Sequence, residues 1–487
     1  MLFANRKFVL NKYKETKFCS LPTAAELRAS LDASGGSDVR NQLNMIFDAG
    51  TFVELSAYTK RVTSDFLSTE KSTEFESVIC GYGAVDGKLA FAFAEDASRL
   101  GGSIDERHAK KIVDLYKLAM DNGAAVIGIF NSNGADIFSG TSALSAYGRI
   151  MSAVAKASGV IPQIALITGK CIGTSAAIAA MFDIVVKENS AELYVTAPAL
   201  TGAKNAQDAI IAYSAEFAQC AAYVRSMVSY LPDNSSVGIV AGMCSDNLNR
   251  KLGELDFAGN ALSMISVISD NALFYEYSRG YAPEITVAFT TIGGVKCGVV
   301  ASSFSADEGR ITAAGARKAA KFINFCNSFS LPVVTLVDSI GLAIDKDNES
   351  SLFSSELAKL GFAYAGATVP KITVITGHAI GAAFVLLGSK SLGADIVYAI
   401  DNSEIGALTA EAGVAFAWDK YITENNTRED LILDWKSNVA SPAHAAESGD
   451  IDDIIGTNEL RLRICSALLM LSAKGSASVN GRKILPL

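Results

Sequence analysis

Apolar runs of strand length alternate with longer amphipathic stretches along most of the chain, and the whole alternation occurs twice. In the first half, β-type runs cover 77–82, 89–94, 125–130, 163–168 and 184–186. Between them lie helical stretches such as 105–122. There Ile112, Leu115, Tyr116, Ala119 and Met120 fall on one face by i, i+3, i+4 spacing, while Lys110, Lys111 and Lys117 lie elsewhere. The second half repeats the pattern through 283–301, a helix over 314–329, and runs at 333–337, 371–376 and 396–400. Strands alternating with helices predict an α/β fold with helices packed on buried sheets.

The two halves agree in detail. Val126 to Gly134 runs parallel to Val333 to Gly341 at an offset of 207, and 85–94 matches 292–301 at the same offset. Pro162 and Pro370 stand 208 apart, as do Gly173 and Gly381. Asp48-x3-Phe52-x-Glu54 recurs as Asp270-x3-Phe274-x-Glu276. Solenoid periods run about 20 to 50 residues, so a repeat this long predicts duplication of a whole domain. Polar stretches at 229–234 and 245–254 separate the halves. We expect an N-terminal arm at 1–40, a first domain at 41–250, and a second at 251–487 ending in a helical tail from about 425. Residues 460–471 are apolar nearly all round, which predicts docking on a partner surface.

Composition narrows the function. At 487 residues the chain exceeds the roughly 250 to 300 at which single cores stop growing. Half of it is apolar and 19% charged, which predicts buried interfaces in a homo-oligomer. A net charge of −9 and a pI near 5.1 argue against a nucleic-acid partner. The apolar stretches at 161–186 and 372–400 are interrupted by Lys170, Asp183, Lys390 and Asp395, so no membrane insertion is expected. The basic N-terminus lacks a signal-peptide core, and a cytoplasmic protein is expected. Eight cysteines without a Cys-x2-Cys pair predict packed thiols, with neither disulfides nor a metal site.

Side-chain catalysis has little to draw on. There are three histidines, His108, His378 and His444, and no nucleophilic triad, Walker loop or Gly-x-Gly-x-x-Gly turn. Backbone chemistry is better supplied. Asn133-Gly134-Ala135 and Gly173-Thr174-Ser175 in the first copy correspond to Ile340-Gly341-Leu342 and Gly381-Ala382-Ala383 in the second. Each pair couples a post-strand turn to a helix N-terminus, where amides stabilise a developing oxyanion and small side chains permit close approach. The alternative is that these glycines only form turns and helix contacts. Asp86-Gly87 predicts a hairpin turn, and Asp338 is expected to fix its own turn. Gly101-Gly102-Ser103 followed by Lys110 and Lys111 has two readings: lining for a phosphate-bearing ligand, or a helix cap with solvated lysines.

Several segments together resemble the carboxyltransferase subunits of biotin-dependent acyl-CoA carboxylases and decarboxylases, over roughly 40–420. They include Phe47 to Leu55, Gly101-Gly102-Ser103 with His108 to Lys111, Ser158 to Ile164, Ser229-Tyr230-Leu231-Pro232, Lys318 to Ile323, Leu331 to Asp338 and Ala367 to Thr376. The resemblance implies two tandem crotonase-like domains, built as a duplicated β-β-α superhelix. It implies acyl-CoA at the first domain and carboxybiotin, on a separate carrier protein, at the second domain of a neighbouring subunit. Backbone amide pairs would hold the thioester and ureido oxygens, and biotin itself would take the α-proton once its CO2 is released. By carry-over, Gly173 and Thr174 with Gly134 and Ala135 would serve the thioester. Gly381, Ala382 and Ala383 with Gly341 would serve biotin. The implied partners are a biotin carboxyl carrier protein and either a biotin carboxylase or a membrane decarboxylase subunit, in a trimer of dimers.

The chain departs from that family's usual loops. Asp-Ser-Gly-Gly-Ala-Arg becomes Asn131-Ser132-Asn133-Gly134-Ala135-Asp136, and Gly-Gly becomes Gly173-Thr174. Pro-Gly-Phe becomes Ile340-Gly341-Leu342, and Gly-Gly-Ala-Tyr becomes Gly381-Ala382-Ala383-Phe384. Val385 stands where many relatives carry an Asp associated with acyl-chain choice. The expected activity is carboxyl transfer between biotin and a short acyl-CoA of the propionyl/methylmalonyl or acetyl/malonyl class. The altered loops raise a second reading, a non-catalytic assembly subunit. A third is a biotin-independent crotonase-type enzyme.

Overall fold

The computed structural model describes residues 23–33, 37–61, 75–202, 209–250, 252, 259–350, 352–423 and 426–474. The expected arm is described only from 23 on, and Cys19 lies outside the described residues.

Two sheets of eight strands organise the chain. The first comprises β1 (Val53–Leu55), β2 (Val78–Val85), β3 (Lys88–Glu95), β4 (Ala125–Ser132), β5 (Gln163–Ile172), β6 (Ile184–Glu188), β7 (Glu192–Tyr194) and β8 (Ile211–Ala215). The second comprises β9 (Phe274–Tyr277), β10 (Ile285–Ile292), β11 (Val295–Ser302), β12 (Val333–Ser339), β13 (Lys371–Ile380), β14 (Ile396–Ile400), β15 (Glu404–Gly406) and β16 (Asp453–Ile455). Their orders are β1-β2-β3-β4-β5-β6-β8 and β9-β10-β11-β12-β13-β14-β16, with β7 on β5 and β15 on β13. The orders superimpose strand for strand, which is the expected duplication. β4, β5, β12 and β13 pair in parallel and are covered on both faces, so they read as nearly unbroken Val, Ile, Leu and Ala.

One carboxylate organises each hairpin. Asp48 accepts the Asp86 and Gly87 amides at 3.1 and 2.9 Å in the β2–β3 turn. Asp270 accepts those of Gly293 and Gly294, both at 2.9 Å, in the β10–β11 turn. Each acid also pairs with an arginine from a covering helix. Arg225 of α1 (Phe217–Tyr230) lies 2.8 Å from Asp48, and Arg461 of α2 (Leu460–Leu471) lies 2.5 Å from Asp270.

This equivalence corrects the expectation for the tail. α2 does not wait for another protein: Leu460, Ile464, Cys465 and Leu468 are buried against β13 and the helix Ala261–Ile268 of the same chain. It is the second copy of α1, as β16 is the second copy of β8. Linker residues also pair with the second sheet, through Gly242 N–H to Gly294 O at 2.8 Å and Lys296 N–H to Val240 O at 3.1 Å. Among the described cysteines, Cys80, Cys171, Cys220, Cys297, Cys326 and Cys465 are buried, Cys244 is half-buried, and none is in a disulfide.

Candidate functional site

β4 and β12 shift register at the same point, between Phe130 and Ser132 and between Val337 and Ser339. The side chains at that kink fold over the neighbouring strand. Asn131 Oδ1 accepts the Lys170 amide at 3.3 Å, and Asp338 Oδ1 accepts the His378 amide at 2.8 Å. A Cβ at Gly169 or Gly377 would come within 2.1 or 2.3 Å of those oxygens, so glycine is required beside each. Asp338 also lies 2.9 Å from His378 Nδ1, which raises the imidazole pKa. Contrary to expectation, the Asp338 carboxylate ties the end of β12 to β13 and not to its own turn, which Ser339 Oγ holds through the Gly341 amide.

Beyond the kink each chain turns in the same way. Gly134 (φ 107°) donates to Ser132 Oγ at 3.0 Å, and Gly341 (φ 127°) to Ser339 Oγ at 3.3 Å. The following bridges place Asp136 N–H on Ile104 O and Ala343 N–H on Ile311 O. On the next strand, Gly173 (φ 60°, ψ −127°) and Gly381 (φ 57°, ψ −130°) lead into α3 (Thr174–Ala180) and α4 (Ala382–Leu386). Their own amides are used, Gly173 N–H by Tyr194 O at 3.0 Å and Gly381 N–H by Gly406 O at 2.8 Å.

The expectation for these turns therefore changes in its atoms. Gly134, Gly173, Gly341 and Gly381 supply conformation, because their N–H groups are already paired. Among the described residues the amides of Ala135 and Leu342 have no partner, and those of Thr174 and Ser175 and of Ala382 and Ala383 open helices whose N-caps supply no side-chain bond. Each copy thus offers backbone donors from two elements that follow adjacent parallel strands, β4 and β5 in the first and β12 and β13 in the second. Leu342 stands in the expected Ile340-Gly341-Leu342 turn, although the resemblance assigns only Gly341 of that turn to biotin; its place follows from Ala135 by the 207-residue offset.

The other expected residues separate. Gly102 (φ 68°) lets the turn press on the end of β4, where a Cβ would lie 2.4 Å from Asn131 O. Asn133 N–H bonds Gly101 O at 2.9 Å and Ser132 Oγ bonds Gly102 O at 2.7 Å, so the turn supports the Ala135 loop. Ser103 O receives Arg61 Nη1 and Ser77 Oγ. Asp105 caps the helix Glu106–Asn122 through the Arg107 and His108 amides, in line with the capping reading. Lys110 is exposed and pairs with Asp114, whereas Lys111 is buried with its ammonium 2.5 Å from Val78 O and is not a solvated lysine. Val385 is half exposed on α4. Ala383 follows Ala382 there, as Ser175 follows Thr174.

Beneath the first site lies Glu95, which accepts the Asn131 amide at 2.9 Å; Ser302 does the same for Asp338 at 2.7 Å in the second copy. Burial raises the Glu95 pKa to about 8 and holds that of His108, 3.9 Å away, well below its usual value. Glu95 is therefore a neutral acid at pH 7. A carboxyl whose pKa is higher folded than unfolded loses its stabilising contribution as pH rises from the unfolded value, about 4.3, through the folded one. Glu76 and Asp183, each raised to about 7 by burial, act in the same direction. Lys296 and Lys318, lowered to about 8 by burial, act in the opposite direction but equally in wild type and Glu95→Gln, so between pH 7 and 8.5 we expect the melting temperature of the wild type to lose ground relative to that of Glu95→Gln. Equal slopes for the two proteins would contradict a neutral Glu95.

The carboxyl transferase domain family matches residues 32–483 of this chain. The chain belongs to the carboxyl transferase family. Similar members include the methylmalonyl-CoA decarboxylase subunit alpha of Propionigenium modestum, 33% identical over 472 residues, with 91% of both chains covered. The subunit of the same name from Veillonella parvula is also 33% identical, again with 91% of both covered. Among solved structures, the transcarboxylase 12S with methylmalonyl-coenzyme A bound superposes with a TM-score of 0.86 at 29% identity, covering 93% of this chain and 96% of that one. As a carboxyl transferase of this family, the protein is the enzymatic component that moves a carboxyl group in a biotin-dependent acyl-CoA carboxylase or decarboxylase system. Its two sheet-and-helix modules are the family's duplicated crotonase-like fold.

Proposed function

We propose that the enzyme transfers carboxyl groups between biotin on a separate carrier protein and the α-carbon of propionyl-CoA, with methylmalonyl-CoA as the carboxylated partner. The observation that carries this reading is the matched set of backbone donors that two elements offer in each copy. In the first, Ala135 and Thr174 would receive the thioester oxygen and stabilise the enolate that forms when carboxylate leaves. In the second, Leu342 and Ala382 would receive the ureido oxygen of biotin. Two fixed N–H donors suit one acceptor oxygen, and the small side chains of Ala343, Ala382 and Ala383 leave the approach open. Biotin, when bound, supplies the carrier for the carboxyl group and the base for the α-proton. The protein's part is placement and oxyanion stabilisation.

The second reading, an inactive assembly subunit, loses support from donor geometry that is kept in both copies despite the altered loops. The third needs a free acid at the first site. Glu95 is buried on Asn131, and Asp136 lies 3.3 Å from Arg61.

Relatives with 91% mutual coverage are subunits by name, which supports a multi-subunit assembly. Within it we propose a trimer of dimers in which the first site of one subunit faces the second site of another. Ile137 and Ile344, two residues beyond Ala135 and Leu342 and related by the repeat offset, are 81% and 94% exposed in the single chain. Apolar residues at matching rims are what such a face would cover. The proposed partners are a biotin carboxyl carrier protein and either a biotin carboxylase or a membrane decarboxylase subunit. None of the described helices is long and apolar enough to cross a membrane. A panel of malonyl-, methylmalonyl- and ethylmalonyl-CoA should give the highest kcat/KM with methylmalonyl-CoA. A tenfold preference for either neighbour would reassign the substrate.

A further inference from the structure

The two amide sites differ in what holds them. In the second copy the residue after Leu342 is Ala343, whose methyl group offers no charge by which the loop could be gripped. In the first copy the corresponding residue is Asp136, and its carboxylate lies 3.3 Å from Nη2 of Arg61. Arg61 is 3% exposed. Its guanidinium bonds Ser103 O at 3.1 Å and Ser77 Oγ at 3.4 Å, and it lies 3.7 Å from Asp105 and 3.9 Å from Glu76. Asp136 in turn accepts the Phe138 amide at 3.1 Å and the Ser139 hydroxyl at 2.7 Å. One side chain thus joins three separate segments: the strand entry at Ser77, the turn at Ser103 to Asp105, and the loop whose first residue is Ala135.

We propose that Arg61 is a positioning residue for the first site, holding the Ala135 amide in place through Asp136. The inference rests on the Ala135–Thr174 reading and adds a residue to it. Without the guanidinium, the carboxylates of Asp136 and Asp105 would lose the cation that lies within 4 Å of both. A buried carboxylate left unpaired turns toward water. Because the Asp136 carboxylate also holds the Phe138 amide and the Ser139 hydroxyl, turning it outward releases the loop that begins at Ala135. A displaced donor loses transition-state stabilisation more than ground-state binding, because the oxygen is charged only in the transition state.

The test uses Arg61→Met, Arg61→Lys, Asp136→Asn and the double variant Arg61→Met/Asp136→Asn, assayed with methylmalonyl-CoA and free biotin. Backbone amide exchange of the peptide spanning 133–139 is followed in parallel. We expect Arg61→Met to lower kcat at least tenfold with KM for the CoA ester within about threefold, and to speed exchange of that peptide relative to 340–346. Arg61→Lys, which keeps the charge but not the fork, should fall between. The double variant should recover part of the lost kcat, because a neutral amide in place of the Asp136 carboxylate no longer needs a cation. Unchanged exchange at 133–139 in both Arg61 variants would overturn the proposal, as would additive losses in the double variant. Should Arg61→Met fail to fold, Arg61→Lys and Asp136→Asn carry the same comparison. Exchange is read without turnover, so a wild-type protein that is inactive yet shows faster exchange in the variants would contradict the proposed reaction and leave the clamp standing.

Discussion

Thr174→Pro is expected to lower kcat for biotin-dependent decarboxylation by on the order of 10²- to 10³-fold, the usual cost of one oxyanion donor, while the protein stays folded. Thr174 is the first residue of α3, where proline is well tolerated because that N–H has no partner within the helix. The substitution thus deletes the proposed donor and little else. Gly173→Pro would be a poor substitute. Gly173 sits at φ 60°, which proline cannot adopt, and its N–H bonds Tyr194 O, so the β5–β7 junction itself would be lost. Turnover, binding of the CoA ester and thermal melting should be measured together. A folded Thr174→Pro protein that keeps more than half of wild-type kcat would remove Thr174 from the site.

Ala382→Pro should have an effect of similar size on the other half of the reaction. Ala382 opens α4 as Thr174 opens α3, and its amide likewise has no partner within the helix. Here the loss should show in transfer to or from biotin, while affinity for the CoA ester is unchanged. His378→Gln is the informative contrast. His378 is one-third exposed, bound to Asp338 and stacked on Phe304 at 4.6 Å between ring centroids, so it is the imidazole nearest the second turn in sequence. If biotin takes the α-proton, that ring is dispensable and the loss should be a few-fold. Collapse in His378→Gln with survival in Ala382→Pro would mean that side-chain acid–base chemistry operates there.

Much of this architecture was legible because duplication left two readings of one fold. Gly173 and Gly381, Asn131 and Asp338, and Asp48 and Asp270 occupy equivalent places because each does one backbone task that few residue types can do. The terminal helix was misread for the opposite reason. Its apolar residues surround it, and the residue that reveals its place, Arg461, pairs with Asp270 across 191 positions of sequence, too far for any local pattern. The donor atoms were also hidden. A sequence shows which glycines a turn requires, but not that their amides are already bonded to Tyr194, Gly406, Ser132 and Ser339. Lys111 looked solvated because helical spacing placed it off the apolar face, yet its ammonium reaches a strand carbonyl. Arg61 carried no signal at all, since its meaning lies in carboxylates contributed by three other segments.

The most direct test supplies purified protein with methylmalonyl-CoA labelled in its free carboxyl group and follows release of label with and without free biotin. If paired backbone amides serve a biotin-dependent transfer, label is released and propionyl-CoA accumulates only when biotin is present, and Thr174→Pro and Ala382→Pro each abolish most of that release. Release that proceeds equally without biotin would contradict the account, as would a protein that binds the CoA ester but turns over none of the short carboxyacyl-CoAs with free or carrier-bound biotin.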